Sequence, residues 1–322
     1  MLRLTLVLAV GGILAPASAA AADAYPVRPI RMIVAFSPGG GTDIIGRIAA
    51  QGLFAKLGQQ VVVDNRPGAG GNIGTAIAAR SAPDGYTLIT AGTGSHAINP
   101  SLYANIPYDA VKDFTAVCLV AASAYLMVVH PAVPAKNVAE FIDLARGRPG
   151  QLNMASSGNG GMPHLAGELF KLLAKVQMTH IPYKGTGAVF ADLIAGQVQV
   201  LFGDIVATSP HAKSGRLRAL GITSAKRSAS LPEFATIAES GVPGYDAVGW
   251  FGVFAPSGTP RPIVMRLNAA IIEHINQPEV KTRMSELGAD IVGSTPEAFA
   301  AVQRADLERW ARVVKAAGIR LE

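Results

Sequence analysis

The sequence predicts an α/β protein with two lobes and mostly parallel sheets. Short apolar runs alternate with helical patterns from Pro29 onward, glycine-rich loops connect many of them, and 322 residues are enough to bury two cores. Half of the residues are hydrophobic and only 16% are charged, which is typical of a folded chain rather than a disordered one.

The predicted elements follow one another in the order that βαβ units require. A strand over residues 30–36 precedes a helix over residues 43–57, whose apolar residues recur at helical spacing. Helices are also predicted over residues 164–176 and over residues 188–195, the second ending at Gly196. Two more helices begin near Ile263 and Phe299. Further strands are predicted at residues 61–63, 86–90, 115–120, 125–129, 152–155, 198–202, 217–222 and 250–254.

The number of elements favours two α/β lobes with a discontinuous first lobe. We expect residues 25–122 and 250–322 in the first lobe and residues 123–249 in the second. The chain would cross near residues 121–124 and return near residues 248–250, and the last helices would pack on the first lobe. A continuous order of two domains is the alternative.

The N-terminus predicts a secretory signal peptide over residues 1–22. Arg3 precedes an apolar stretch over residues 4–14, and Ala17 and Ala19 provide the small residues of a cleavage site. The apolar stretch is short for a membrane span, although an uncleaved anchor is the alternative. We therefore expect an exported protein.

Composition and motifs exclude several classes of function. The net charge is +6, but the basic residues are scattered, so we expect no nucleic-acid partner. The single cysteine, Cys118, excludes an intramolecular disulfide and any multi-cysteine metal site. The six histidines show no zinc-binding spacing, and the chain has neither a P-loop nor a nucleophile elbow. We expect no metal, no cofactor and no enzymatic activity.

Glycine-rich loops follow several of the predicted strands, and glycine accounts for 35 of the residues. The longest such loops cover residues 37–43, 65–72, 92–95, 156–161 and 183–187. Glycine lets the backbone approach a ligand, and the first N–H groups of the following helix have no intrahelical acceptor. Loops of this kind bind anions well, so they predict a site for a small anion between the lobes. Tight chain connection is the alternative explanation for each loop.

Four polar residues near these loops each have more than one possible role. Asp43 could contact a ligand amine, brace its loop or complement the helix dipole. Lys184 could pair with a ligand carboxylate or be solvated. Asp204, at the end of a predicted strand, could line a pocket or cap a helix. His164 could donate to an anion or lie at the surface.

The ordered series of motifs resembles the Bug family of periplasmic receptors of tripartite tricarboxylate transporters. The motifs that carry this resemblance span nearly the whole chain after the signal peptide: residues 25–30, 37–43, 65–72, 83–88, 182–185, 203–204 and 255–260. The resemblance implies a two-lobed periplasmic-binding-protein fold of the Venus-flytrap, type II-like class, with a hinge between the lobes. It also implies a periplasmic location and a small organic carboxylate as ligand.

The resemblance further implies where the ligand binds. The loop at residues 38–43 would receive a carboxylate, often through ordered waters, and the loops at residues 156–158 and 183–185 would meet it from the second lobe. Phe36, His96 and His164 are candidates for selecting the distal part of the ligand. The full set of candidate ligand-binding residues is Phe36, Pro38, Gly39, Gly40, Thr42, Asp43, Ser95, His96, Ser156, Ser157, Gly158, His164, Tyr183, Lys184, Gly185 and Asp204.

The expected partners are the small organic anion and the membrane permease subunits of a tripartite tricarboxylate transporter. We expect the receptor to be a monomer. Two other functions stay open at this point. One is a sensor subunit that docks on a two-component system, and the other is an exported hydrolase that uses Ser157.

Overall fold

Two mixed β-sheets form the framework of the protein in a computed structural model that describes residues 25–183, 186–228 and 231–321. The predicted signal peptide, Lys184 and Gly185 lie outside the described residues. Within the described ranges, no helix is both long and apolar enough to cross a membrane.

The first sheet takes its strands from both ends of the chain. Its order is β11-β4-β10-β3-β1-β2, from β1 (Ile30–Val34), β2 (Val61–Asn65), β3 (Thr87–Gly92), β4 (Phe114–Ser123), β10 (Gly249–Pro256) and β11 (Asp290–Ile291). The strands β1, β2 and β3 pair in parallel. Helices connect these parallel strands, as a parallel connection requires.

The second sheet comes from the middle of the chain. Its order is β7-β6-β8-β5-β9, from β5 (Tyr125–Val129), β6 (Asn153–Ser156), β7 (Thr179–Pro182), β8 (Val200–Asp204) and β9 (Arg218–Ile222). The strands β6, β7 and β8 pair in parallel.

The helices cover the faces of the two sheets. They are α1 (Gly41–Leu57), α2 (Asn72–Ala79), α3 (Asn99–Leu102), α4 (Val138–Gly147), α5 (Met162–Ala174), α6 (Thr186–Ile194), α7 (Ile205–Lys213), α8 (Arg261–Ile275), α9 (Pro278–Glu286) and α10 (Pro296–Ala317). A 3₁₀ turn at Ala69–Gly71 and a π-helical turn at Gly94–Ile98 lie in the loops after β2 and β3.

The α/β class and the two-lobed architecture are confirmed, but the sheets are mixed rather than mostly parallel. In each sheet, the first strand after the chain crosses from the other lobe is antiparallel to both of its neighbours. This holds for β10, between β3 and β4, and for β5, between β8 and β9. The chain enters these strands directly, without the helical crossover that would turn it parallel.

The last helix joins the lobes more closely than the sequence predicts. Helix α10 packs against β4 and also against α5, which lies on the second sheet. Trp310 of α10 is fully buried in the core cluster that both lobes share. The residue limits of the two lobes stay a prediction.

Candidate functional site

A cavity of about 660 Å³ lies between the two sheets. Its walls come from the loops after β1 and β3, the loop after β6, the end of β8 and the crossing strands. The carboxyl ends of parallel strands lie at the same edge of a sheet. Open α/β sheets bind their ligands at this edge.

The first wall carries the N-terminus of α1. The helix begins after Gly40, whose backbone is extended, and no side chain caps it. Gly41 faces the ring of Phe251, because an added Cβ would lie 2.9 Å from its Cζ atom. The N–H groups of the first turn have no intrahelical acceptor and carry the positive end of the helix dipole. Gly40, Gly41 and Thr42 present this end to the cavity.

Asp43 braces the loop that leads into α1. Its buried carboxylate accepts hydrogen bonds from the Gly39 N–H at 2.9 Å, Arg47 Nε at 3.0 Å and Asn65 Nδ2 at 2.9 Å. Burial raises the pKa of Asp43, but the hydrogen bonds, that from Arg47 foremost, outweigh burial and hold the pKa below its usual value. Of the roles open to this residue, the structure shows bracing.

The second wall carries the N-terminus of α5. The loop after β6 contains Gly158 at φ +150° and Gly160 at φ +77°, conformations that favour glycine. Gly161 precedes the helix, and no side chain caps it. This loop therefore presents a second positive helix end to the same cavity.

A buried polar network holds the second loop from behind. The Gly160 N–H donates to His164 Nδ1 at 3.1 Å, and Ser156 Oγ donates to the Gly158 carbonyl at 2.8 Å. The rings of His164 and His180 stack with centroids 3.7 Å apart. Burial, followed by the charge of His164, lowers the pKa of His180 to about 4. Ser156 and His164 thus position the loop rather than line the cavity.

Asp204 lines the cavity at the end of β8 and also caps α7. Its Oδ1 accepts the Ala207 N–H at 3.0 Å. It is paired across the sheet with Tyr125, which also lines the cavity. Burial, and then the charge of Asp204, raises the pKa of Tyr125 above its usual value. Both interpretations of Asp204, as a lining residue and as a helix cap, describe its place in the structure.

The structure brings six of the candidate residues together around the cavity: Phe36, Gly40, Thr42, Ser157, Gly158 and Asp204. Pro38 and Gly39 are exposed, whereas Ser95 is buried. Tyr183 Oη donates a hydrogen bond to Asp192 Oδ2 at 2.7 Å. None of these four residues lines the cavity.

His96 lies in the aromatic core and not in the cavity wall. Its ring is fully buried and stacks on Phe254 with centroids 4.4 Å apart. Its Nδ1 is 3.0 Å from Ser95 Oγ, and burial lowers its pKa to about 3. A ligand contact would require this core to open, so the structure argues against a selecting role for His96.

Several large side chains that line the cavity are not among the residues predicted from the sequence. Tyr125 and Trp250 stand on the two crossing strands, and Tyr103, Met162 and Phe251 complete an apolar lining. The detectable signal was an aromatic residue at each predicted crossing. Among the described lining residues, Asp204 is the only one with a formally charged side chain.

Comparison with known proteins identifies the family. The model of the tripartite tricarboxylate transporter family receptor, TctC, matches residues 45–319. The chain belongs to this family. It is therefore a periplasmic solute-binding receptor and not an enzyme, as the resemblance to the Bug family implies.

Individual relatives of this TctC-family receptor match over nearly its whole length. The chain is 40% identical to protein BugT of Bordetella pertussis over 316 residues, which are 98% of this chain and 96% of BugT. An R. palustris protein solved with adipate has a TM-score of 0.85 and 38% identity, covering 92% of this chain and 99% of that one. MatC from Rhodopseudomonas palustris, solved with bound malate, has a TM-score of 0.81 and 34% identity, covering 90% of this chain and 100% of MatC.

Proposed function

We propose that this receptor captures a small organic carboxylate in the cavity between its lobes and delivers it to the membrane subunits of a tripartite tricarboxylate transporter. One observation carries the proposal: two helix N-termini without side-chain caps, at Gly40 and Gly161, face one cavity from opposite lobes.

An anion that leaves water needs hydrogen-bond donors to replace its hydration. The first turns of α1 and α5 supply backbone N–H donors, and Thr42 and Ser157 add hydroxyl groups beside them. Ordered waters bridge the remaining distance at little enthalpic cost. We assign Gly40, Thr42, Ser157 and Gly158 to carboxylate binding and Phe36 to contact with the ligand body.

Ligand contact with both walls explains delivery. A ligand that touches α1 and α5 together favours a closed arrangement of the lobes over an open one, because it gains contacts only on closure. The membrane subunits would then recognise the closed form. The relatives solved with adipate and with malate support a carboxylate as ligand, since both compounds are small dicarboxylates.

Matched pairs of ligands test this function. Titration calorimetry compares aliphatic and aromatic carboxylates with the primary amides of the same acids, which keep the shape and lose the charge. We expect binding of carboxylates and at least tenfold weaker binding of the amides. Equal affinity for both members of each pair would refute the anion site. Uptake of the best-bound acid by host cells, with and without the gene, then tests delivery.

A further inference from the structure

Tyr125 carries a hydroxyl group in the cavity wall that the fold itself does not use. The residue begins β5, the first strand after the chain crosses into the second lobe, and it lines the cavity. It is only 8% exposed, so more than nine-tenths of its surface is buried. Within the part of the chain that the structure describes, its Oη has no hydrogen-bond partner. A buried hydroxyl without a partner costs free energy, so it requires a chemical reason.

The surrounding backbone fixes the position of this hydroxyl. The Tyr125 N–H donates to Thr223 Oγ1 at 2.6 Å, and the Tyr125 carbonyl accepts the Thr223 N–H at 2.9 Å. At the other end of the side chain, a Cβ added at Gly249 would be 3.1 Å from Oη and 3.2 Å from Cε2 of Tyr125. The ring therefore packs directly on the backbone of β10. Because both ends of the residue are held, the hydroxyl has little room to turn toward another protein group.

The Tyr125 hydroxyl and the N-terminus of α1 lie along the same strand. Gly249, beside Tyr125 Oη, and Phe251, beside Gly41, are two residues apart on β10. Residues at this spacing face the same side of a strand and are about 7 Å apart. All four residues line the cavity. A ligand whose carboxylate meets α1 therefore reaches Tyr125 if its body extends along β10.

A phenol hydroxyl has one proton to donate, and Tyr125 retains this proton at neutral pH. Burial, followed by the charge of Asp204, raises the pKa of Tyr125 above its usual value. A ligand that fills the cavity displaces the water that would otherwise bond the hydroxyl, and a ligand group that cannot replace this hydrogen bond loses affinity. An apolar ligand end leaves the donor unpaired, whereas an acceptor oxygen satisfies it.

From this geometry we infer that Tyr125 is a specificity-determining residue, which donates a hydrogen bond to an acceptor oxygen at the end of the ligand opposite its carboxylate. A neutral carbonyl group and a second carboxylate share this acceptor chemistry. The inference rests on the proposed function and names a further polar contact of the same cavity.

Ligands with one body and three end groups test the acceptor. Calorimetry compares adipate, its monoamide and 6-methylheptanoate, in which two methyl groups replace the oxygens of the second carboxylate. The corresponding forms of succinate, suberate and terephthalate vary the body. We expect at least one of the two acceptor forms to bind at least fivefold more tightly than the branched alkyl form of the same body. A branched alkyl form that binds as tightly as both acceptor forms in every series would overturn the inference.

Tyr125→Phe removes the hydroxyl and keeps the ring. We expect the preference for acceptor forms over branched alkyl forms to fall at least fivefold. Thermal unfolding without ligand should show equal or higher stability, because the lost hydroxyl has no protein partner. Tyr86→Phe is the matched control and should leave the preference unchanged, since Tyr86 Oη accepts the Val27 N–H at 3.0 Å and does not line the cavity.

Two results with Tyr125→Phe would refute the role of this residue. One is a preference for acceptor forms equal to that of the wild type. The other is a clear loss of stability of the protein without ligand, up to failure to fold, which would show that the hydroxyl has a structural role. The ranking of end groups in the wild type is an independent measurement and needs no variant.

The outcomes separate the inference from the proposed function. Tighter binding of the monoamides alone identifies a neutral carbonyl as the group that Tyr125 recognises, and tighter binding of the diacids alone identifies a second carboxylate. Either result supports the inference. Equal binding of all three forms refutes the inference and leaves the proposed function intact. Absence of binding by every form in every series would refute the proposed function as well.

Discussion

Gly160 lies where the second lobe contacts the first, so it gives a direct test of lobe closure. A Cβ added at this position would be 2.0 Å from Leu102 Cδ2 and 3.7 Å from Leu321 Cδ1. Carbon atoms in ordinary contact are about 3.5–4.0 Å apart. In Gly160→Ala, either the methyl of Leu102 or the whole loop must therefore move by about 1.5–2 Å. Leu102 is fully buried, and buried side chains are close-packed, so a shift of this size displaces its neighbours.

The size of the effect follows from this overlap. Overpacking of a filled core costs about 1–3 kcal/mol. Because the overlap exists only where the lobes meet, the cost falls on the closed form, and ligand affinity should drop about 5-fold to 150-fold. The positive φ of +77° adds about 1–2 kcal/mol for any L-residue, but it does so with and without ligand. That second cost lowers stability and leaves affinity unchanged.

Gly150→Ala is the matched control, since Gly150 has a φ of +74° and an added Cβ would meet nothing within 4 Å. Titration calorimetry with the best-bound carboxylate should show a loss of affinity for Gly160→Ala only, whereas thermal unfolding should show a loss of stability for both variants. Leu102→Ala in combination with Gly160→Ala should restore much of the affinity. If Gly160→Ala binds the ligand as tightly as the wild type, or if the double variant recovers no affinity, the contact between Gly160 and Leu102 does not limit lobe closure.

Three further predictions concern the candidate site and the core. Thr42→Ala together with Ser157→Ala should weaken carboxylate binding by about 1–3 kcal/mol through the loss of two hydroxyl donors, and unchanged calorimetric affinity would remove both from the site. Asp43→Asn should lower the free energy of unfolding by about 1.5–3 kcal/mol at pH 7. Because the pKa of Asp43 is depressed in the folded state, its contribution is present above the unfolded pKa and lost as pH falls through the folded one, so urea unfolding should show a smaller difference near pH 3. The pKa of His96 is also depressed, from 6.5 to about 3, so the unfolded chain takes up the proton first and stability falls as pH drops below 6.5. This loss of stability is about 2 kcal/mol at pH 5, and His96→Phe should abolish it. If the pH dependence of urea unfolding is the same in His96→Phe as in the wild type, His96 is not its source.

Most strands and long helices follow from local patterns. The apolar runs that become β1, β5 and β8 are short, and the apolar residues of α1 and α8 recur at helical spacing, so the sequence of each segment indicates its secondary structure. The strands β7 and β11 escaped prediction because they are short and only partly buried, which leaves little apolar contrast to detect. The direction of β5 and β10 depends on how the chain crosses between lobes, which no local pattern encodes.

The candidate site was predictable in outline and not in detail. Glycine loops before helices indicate where backbone N–H groups are exposed, and four of these loops do line one cavity, those that contain Gly40, Gly70, Gly94 and Gly158. The sequence could not distinguish the residues that line the cavity from the residues that hold its loops in place. Asp43 and His164 adjoin the same loops, yet the first braces its loop and the second bonds the Gly160 N–H from behind.

Local patterns along the chain were sufficient to predict the α/β class, the positions of most strands and of the long helices, and the family. Tertiary packing alone decided that Tyr125, Trp250 and Asp204, more than 40 residues apart along the chain, share one cavity with two uncapped helix ends. The physical reason is that propensity and hydrophobic period act over a few residues, whereas the polarity of a site is set by which distant side chains the packed lobes bring to the same volume.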